Sequence, residues 1–374
     1  MAHVDRISSL TDDLLHRILS LVDIQEAVQT CILSKRWQRL WADMDSLDLC
    51  LPDFKPQSRN IERRFTRFIN ALLSRRNDSE LRVFRLFCEE TCFNVSHRSI
   101  TAWVLYAIRH KAKVIEIDGC LYRSLPRDIF TCASLEDLCL RISGLGGGVV
   151  AGGVNLPQLK KLHLGGIISR NRAILRNLLS GCPALEDLSL DVCSIDLRVI
   201  SSPQLKHLSI FSMLDTARIE SIRTPNLVSL SLRLRGDVLR AANLEKMPFL
   251  LNAIISVDGG TGFDENCSIL AAFPNVRSLE LRGNIMKDLL RVELPKCPIF
   301  FNLTKLHLSE LCRLCHGDLV DCMLAHSPNL EKLQLCKYPW CCQVLNSYQT
   351  FTSVTIRLNL QKWPYEFFCI IIKV

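Results

Sequence analysis

No stretch of this 374-residue sequence approaches the roughly 18 consecutive apolar residues needed to span a bilayer, and Phe367 to Ile372 are far too few. The start, Met1 to Leu10, places Asp5 and Arg6 where a secretory leader would carry its apolar stretch. The chain is therefore expected in the cytoplasm or nucleus, without a membrane partner. A Gly-Lys-Ser/Thr phosphate loop is missing, and the glycines of Gly146 to Ala151 are followed by more glycine rather than by a helix, so they read as an inter-repeat insertion. Cys312-Arg313-Leu314-Cys315-His316 matches a c-type haem attachment pattern literally. It has no export signal beside it and no second pair of ligands at finger-like spacing, so neither haem nor zinc is expected, and no cofactor. No serine or cysteine nucleophile is identifiably paired with a histidine, and the chain reads as non-enzymatic. Charge clustering is also absent: the formal net charge is +8, but Lys and Arg are scattered beside Asp and Glu, which argues against a nucleic-acid footprint.

Hydrophobic residues at 48% and charged residues at 22% describe a folded protein, long enough for two or more domains. The 18 cysteines suit reducing surroundings, in which most behave as small core hydrophobes.

A repeat organises most of the chain. Its form is Pro-x-Leu-x-x-Leu-x-Leu, as in LPQLKKLHL (Leu156 to Leu164), CPALEDLSL (Cys182 to Leu190) and SPNLEKLQL (Ser327 to Leu335). The first anchors are Leu135, Leu159, Leu185, Leu205, Leu227, Leu250, Val276, Leu303 and Leu330, spaced by 24, 26, 20, 22, 23, 26, 27 and 27 residues. Every step lies within the roughly 20 to 29 residues of a leucine-rich repeat. Fainter copies stand at Leu81, Phe84 and Leu86, at Ala112, Ile115 and Ile117, and at Phe351, Val354 and Ile356. The last two leucines of each copy alternate with polar residues, so each predicts a short strand with one buried and one exposed side. A single repeat cannot cover its own anchors; stacking is required. The alternation also names an exposed concave row, from which Lys161, His163, Asp187, His207, Ser231, Glu280, Lys305 and His307 are taken as the partner-binding candidates.

Residues 5 to 41 differ in character. Leu14, Leu15, Ile18, Leu19 and Val22 form one helical stripe behind Thr11 as N-cap, and a second helix starts at Asp23 with Glu26 three residues on. Ser34 then caps a basic turn holding Trp37 and Trp41. A module this small and this apolar implies a partner. Farther on, Ile61, Phe65, Phe68, Ile69, Leu72 and Leu73 are spaced as one helical face, read as a cap of the repeat array, with the arginines around them as a solvated face.

The opening DRIS-L-DDLL-ILS, the close AVQT-ILSKRW-LW, the helix Ile61 to Arg76 and LPRDIFTCASLEDLCL (Leu125 to Leu140) resemble the plant F-box/leucine-rich-repeat family. The resemblance implies an α/β fold: a small all-α F-box module, then a solenoid shaped as a horseshoe of short parallel strands with helical or irregular outer segments. The boundaries it suggests are 1–45 for the F-box, 46–80 for a linker and capping helix, 81–358 for the solenoid, and 359–374 for an apolar tail that reads as truncated. It further implies a substrate-recognition subunit of a Skp/cullin/F-box ubiquitin ligase, with the F-box on the Skp-type adaptor and through it the cullin, and an unknown target on the concave face. By that carry-over Leu10, Leu14, Leu15, Ile18, Leu19, Val28, Leu33, Trp37 and Trp41 become the adaptor-binding candidates, the tryptophans foremost. Thr11 departs from the proline usual in the family. A ligase-independent scaffold and a small-molecule receptor remain the alternatives.

Overall fold

The computed structural model describes residues 7–54, 60–88, 95–119, 125–146, 153–168, 174–192, 198–212, 219–239, 243–260, 263–264, 267–284, 286–309, 313–336 and 353–357. The chain divides into two compact units, Met1–Asp196 and Leu197–Val374. The fold is α/β, a helical module followed by parallel repeat strands. Among the described residues no helix is long and apolar enough to cross a membrane.

The first unit begins with helices α1 (Asp12–Leu19) and α2 (Ile24–Gln29). Thr11 occupies the N-cap position of α1 in extended backbone, yet its side chain makes no capping hydrogen bond; Asp12 and Asp13 in the first turn face the positive helix end instead. Asp23 caps α2 as the sequence predicts, accepting from the Glu26 backbone N–H at 2.8 Å. A turn through Leu40–Asp43 leads directly into a strand, β1 (Ser46–Cys50). Residues 46–50 were expected to belong to a linker; they are the first rung of the ladder.

From β1 the unit runs through α3 (Ile61–Arg75), β2 (Val83–Phe87), α4 (His97–Arg109), β3 (Val114–Asp118), β4 (Asp137–Gly146), β5 (Lys161–Ile168), α5 (Ile174–Gly181) and β6 (Asp187–Asp191). The strands pair in sequence order and all in parallel. Helix α3 is thus the outer segment of the first repeat and not a cap ahead of the array. It buries Phe65, Ile69 and Leu72; Phe65 meets Phe54 and Trp103 edge-on at 5.1 and 5.8 Å between ring centroids. Trp103 in α4 donates its indole N–H to Asn70 of α3 at 2.8 Å.

The second unit continues the pattern with β8 (His207–Ser212), β10 (Ser229–Arg235), β12 (Asn252–Asp258), β13 (Ser278–Arg282), β14 (Lys305–Ser309) and β15 (Lys332–Cys336), again parallel neighbours. Its other strands β7 (Val199–Ser201), β9 (Ser221–Arg223) and β11 (Asn243–Leu244) form a small parallel sheet of their own, and α6 (Gly236–Leu239), α7 (Met286–Glu293) and α8 (Arg313–Ala325) lie between strands in sequence. The last strand, β16 (Ser353–Arg357), corrects one expectation: it pairs with β15 antiparallel, not parallel. The repeat pattern fixes which residues face inward but carries no strand direction.

Every strand predicted from the nine clear repeats starts two residues after its anchor, and all nine anchors are buried at 2% exposure or less. The leucines stack in register across strands, as Leu138, Leu162 and Leu188 do. With three such side chains per repeat at ~1.5 to 3 kcal/mol each, cohesion comes from neighbour covering neighbour. The backbone adds a shared acceptor at each step: Lys160 O takes the N–H groups of both Glu186 and Asp187, and Val228 O those of Leu251 and Asn252.

Candidate functional site

Two surfaces stand out, and the sequence placed candidates on both. The first is the helical module of residues 7–43. Leu15 and Leu19, four apart on α1, turn inward with Ile24 and Ala27 of α2 and with Leu40, Trp41 and Ala42. Trp37 is 3% exposed and donates its indole N–H to Ser8 Oγ at 3.0 Å; Trp41 is 9% exposed and donates to the Gln38 carbonyl at 3.1 Å. His16 Nε2 lies 3.1 Å from the Leu40 carbonyl, and Arg36 pairs with Asp12 at 2.7 Å. The module is closed by its tryptophans.

This placement divides the adaptor-binding candidates. Leu15, Leu19, Trp37 and Trp41 belong to the interior, so the two tryptophans expected to lead the interface are core residues. Leu10 and Val28 are half-buried, while Leu14, Ile18 and Leu33 face solvent. Four further exposed apolar residues, outside the adaptor-binding candidates, are Ile7, Leu21, Val22 and Ile32, with Leu21 and Ile32 at 82% and 84% exposure. Seven of the thirteen exposed large apolar side chains among the described residues thus fall between Ile7 and Leu33. This module therefore carries more exposed large apolar side chains than the rest of the described surface. The module is also joined firmly to the ladder: Asn77, just past α3, gives its amide N–H to Asp43 at 2.8 Å and accepts from Arg39 at 2.9 Å.

The second surface is the solvent side of the strands. Lys161, His163, Asp187, His207, Ser231, Glu280, Lys305 and His307 all occupy outward strand positions, as the alternation predicts. In the first unit, Lys161, His163 and Asp187 come together with Arg85, Glu116, Asp137, Cys139 and Arg141 around a cavity of about 290 Å³. Arg85 sits between Asp48 at 3.9 Å and Glu116 at 3.1 Å, and Arg141 between Asp118 at 2.7 Å and Glu116 at 3.8 Å. His163 Nε2 is 2.9 Å from Asp191. The outward positions of β1 to β6 carry six carboxylates (Asp48, Glu116, Asp118, Asp137, Asp187 and Asp191) against Arg85, Arg141 and Lys161. Extending the outward row to the two fainter repeats at Leu81 and Ala112 would have found Arg85 and Glu116.

Cys139 and His163 are register partners on β4 and β5, but they share no hydrogen bond among the described residues, and burial pushes the thiol up to about 12. It does not supply a thiolate near neutral pH. In the second unit Glu280 and His307 are register partners, 2.9 Å apart, and burial, opposed by Glu280, pushes the imidazole below its ordinary value. His207 and Ser231 lie on the paired strands β8 and β10, two register positions from one another. Among the described residues no group of three or more His, Cys, Asp or Glu could hold a metal ion. Cys312 lies outside the described residues, as do the side chains of Cys315 and His316 and the tail 359–374.

Comparison with known proteins adds to this geometry. A family model for the F-box domain matches residues 7–49, and one described as the LRR repeats of FBD-associated F-box protein At5g56370 matches residues 113–285. FBD-associated F-box protein At4g10400 of Arabidopsis thaliana is 32% identical over 345 residues, covering 89% of this chain and 77% of its own length. F-box/LRR-repeat protein At4g14103 of the same plant is 30% identical over 353 residues, covering 88% and 91%. FBD-associated F-box protein At5g60610, also from Arabidopsis thaliana, is 32% identical over 355 residues, covering 89% and 83%.

Proposed function

This chain belongs to the F-box/leucine-rich-repeat family, and from that premise we propose that it is the substrate-recognition subunit of a Skp/cullin/F-box ubiquitin ligase. The observation that carries the reading is the exposed apolar set Ile7, Leu14, Ile18, Leu21, Val22, Ile32 and Leu33 on the module that the F-box family model matches. Such a surface is stable in water when a partner covers it, and a Skp-type adaptor, through it a cullin, is that partner. The strand face takes the protein to be ubiquitinated. No residue of this chain touches the transferred ubiquitin; its contribution is effective concentration, raised by holding target and ligase on one body. The Arg39–Asn77–Asp43 junction supports this, because a firm joint between module and ladder keeps the captured protein at a set distance. The site of action is the cytoplasm or nucleus, where buried thiols such as Cys88 and Cys182 stay reduced.

The test is co-purification of the full chain with a plant Skp-type adaptor. Leu14→Asp combined with Leu33→Asp places two charges on the exposed set without touching the core. Stoichiometric binding by the parent chain and its loss in the double variant are expected, at an unchanged circular dichroism spectrum. Equal binding by both proteins would remove the adaptor from this surface, and no binding by either would remove the ligase reading.

A further inference from the structure

On the ligase reading above, the captured protein lies against the strand face, and we propose that what the first unit accepts is a basic segment, whose lysine or arginine side chain enters the cavity and is held by Asp137 and Asp187. The chain as a whole carries +8, yet the outward positions of β1 to β6 hold six carboxylates against three cations. The acidity is local, for in the second unit the balance reverses: Asp258 and Glu280 stand against Arg233, Arg235, Arg282, Lys305 and Lys332 at outward positions.

Within the cavity the existing cations are already committed. Arg85 and Arg141 are each bracketed by two carboxylates, so neither is free to receive an acidic guest. Asp137 and Asp187 are different, since neither forms an ion pair at contact distance among the described residues. Lys161 lies between them in register without reaching either. Burial pushes the Asp137 carboxyl above its ordinary value, the mark of a carboxylate short of compensating charge, which a guest cation would supply.

The floor of the cavity accepts such a guest. Cys139 lines it, 8% exposed, with a neutral thiol that makes no hydrogen bond among the described residues and opposes no cation. The occupant consistent with these observations is a segment bearing lysine or arginine.

The experiment uses the full chain and two fluorescent peptides of equal length, a lysine-glycine repeat and a glutamate-glycine repeat, with binding read by anisotropy at low and high salt. The lysine peptide should bind and salt should weaken it, while any glutamate peptide held by the basic strands of the second unit should not respond to the variants below. Asp137→Asn with Asp187→Asn should lower its affinity by about tenfold, and Lys161→Ala, which removes the competing cation, should raise it by about threefold. A gain of binding cannot come from a loss of fold, so the second variant decides the matter if the first is unstable. No binding of the lysine peptide, lysine-peptide affinity unchanged in a folded Asp137→Asn/Asp187→Asn variant, or weaker binding by Lys161→Ala overturns the proposal. The same preparation is assayed for the Skp-type adaptor: adaptor bound without peptide defeats the basic segment alone, and peptide bound without adaptor defeats the ligase reading alone.

Discussion

Asn275, on the turn ahead of β13, donates its side-chain N–H to the carbonyl oxygen of Pro248, 2.9 Å away and 27 residues earlier. Asn226 makes the same bond to Pro203 and Asn329 to Phe301, both at 2.8 Å. Each asparagine stands one residue before an anchor, and each carbonyl two residues before the preceding anchor, so the amide ties one turn to the last. The register breaks at Phe249, which takes the asparagine place before Leu250 and is 60% exposed.

The ladder predicts two opposite shifts. Asn275→Ala should destabilise the second unit by ~1 kcal/mol, the net worth of a hydrogen bond that water partly replaces. Phe249→Asn should stabilise it by a similar or smaller amount, because the new amide reaches the Pro225 carbonyl and an exposed ring is lost. Urea midpoints of the two variants check this, and a ladder without energetic weight would leave both where the parent stands.

In the module, Trp37→Ala should act on folding before it acts on binding. The indole is 3% exposed and donates its N–H to Ser8 Oγ, so truncation opens a cavity and removes that hydrogen bond at a cost of ~3 to 5 kcal/mol. Near-ultraviolet circular dichroism should show the tertiary signal of the module lost together with adaptor binding. A variant that keeps the signal while losing the adaptor would return Trp37 to the interface.

Much of the fold was legible because a leucine-rich repeat writes its strands at a fixed offset: anchor plus two gives the first strand residue nine times over, and at Leu81, Ala112 and Phe351 as well. The strand Ser46–Cys50 escaped because its anchor position is Met44, behind a tryptophan turn that belongs to the module. The module itself was harder to resolve. On a helix of eight residues Leu14 and Ile18 lie one position from Leu15 and Leu19, about 100° around the axis, and an apolar stripe that wide does not say which edge turns inward. The strand face was readable residue by residue, but the grouping around one cavity required the register between strands.

Glu293 predicts a pH dependence. Its carboxylate, 0% exposed at the end of α7, accepts the backbone N–H groups of Ile269 at 2.8 Å and Leu270 at 3.0 Å. Burial is the largest influence and raises its pKa above the ordinary 4.5, against these two donors. The folded chain therefore holds this proton more tightly than the unfolded chain, and stability falls as pH rises from about 4.5 to the folded value, then levels. Glu293→Gln should flatten that slope and cost ~1 to 3 kcal/mol at neutral pH, since one amide oxygen faces two N–H donors. Urea midpoints of both proteins across this range measure the slope; a variant whose slope equals the parent's would contradict the assignment.

Gly283, following β13, offers the sharpest single-residue test of how the repeats are joined. Its φ is +110°, a backbone region that side chains rarely enter, and an added Cβ would fall 1.9 Å from the Val257 carbonyl oxygen of the neighbouring strand β12. Two penalties therefore coincide, a conformational one and a collision with backbone that cannot rotate away. The nearby bonds depend on the same geometry: Gly259 N–H donates to Asn284 Oδ1 at 2.9 Å, and Asn284 N–H to Asp258 Oδ1 at 3.2 Å. Gly283→Ala should thus cost more than an ordinary strand substitution, ~2 to 4 kcal/mol, and speed exchange of the Gly259 and Asn284 amides. Gly153→Ala is the control, with φ +101° but open space around its Cβ, so it carries the conformational penalty without the collision. If the two variants lose equal stability, the contact with Val257 contributes nothing, and the turn after β13 tolerates a side chain as well as any exposed loop.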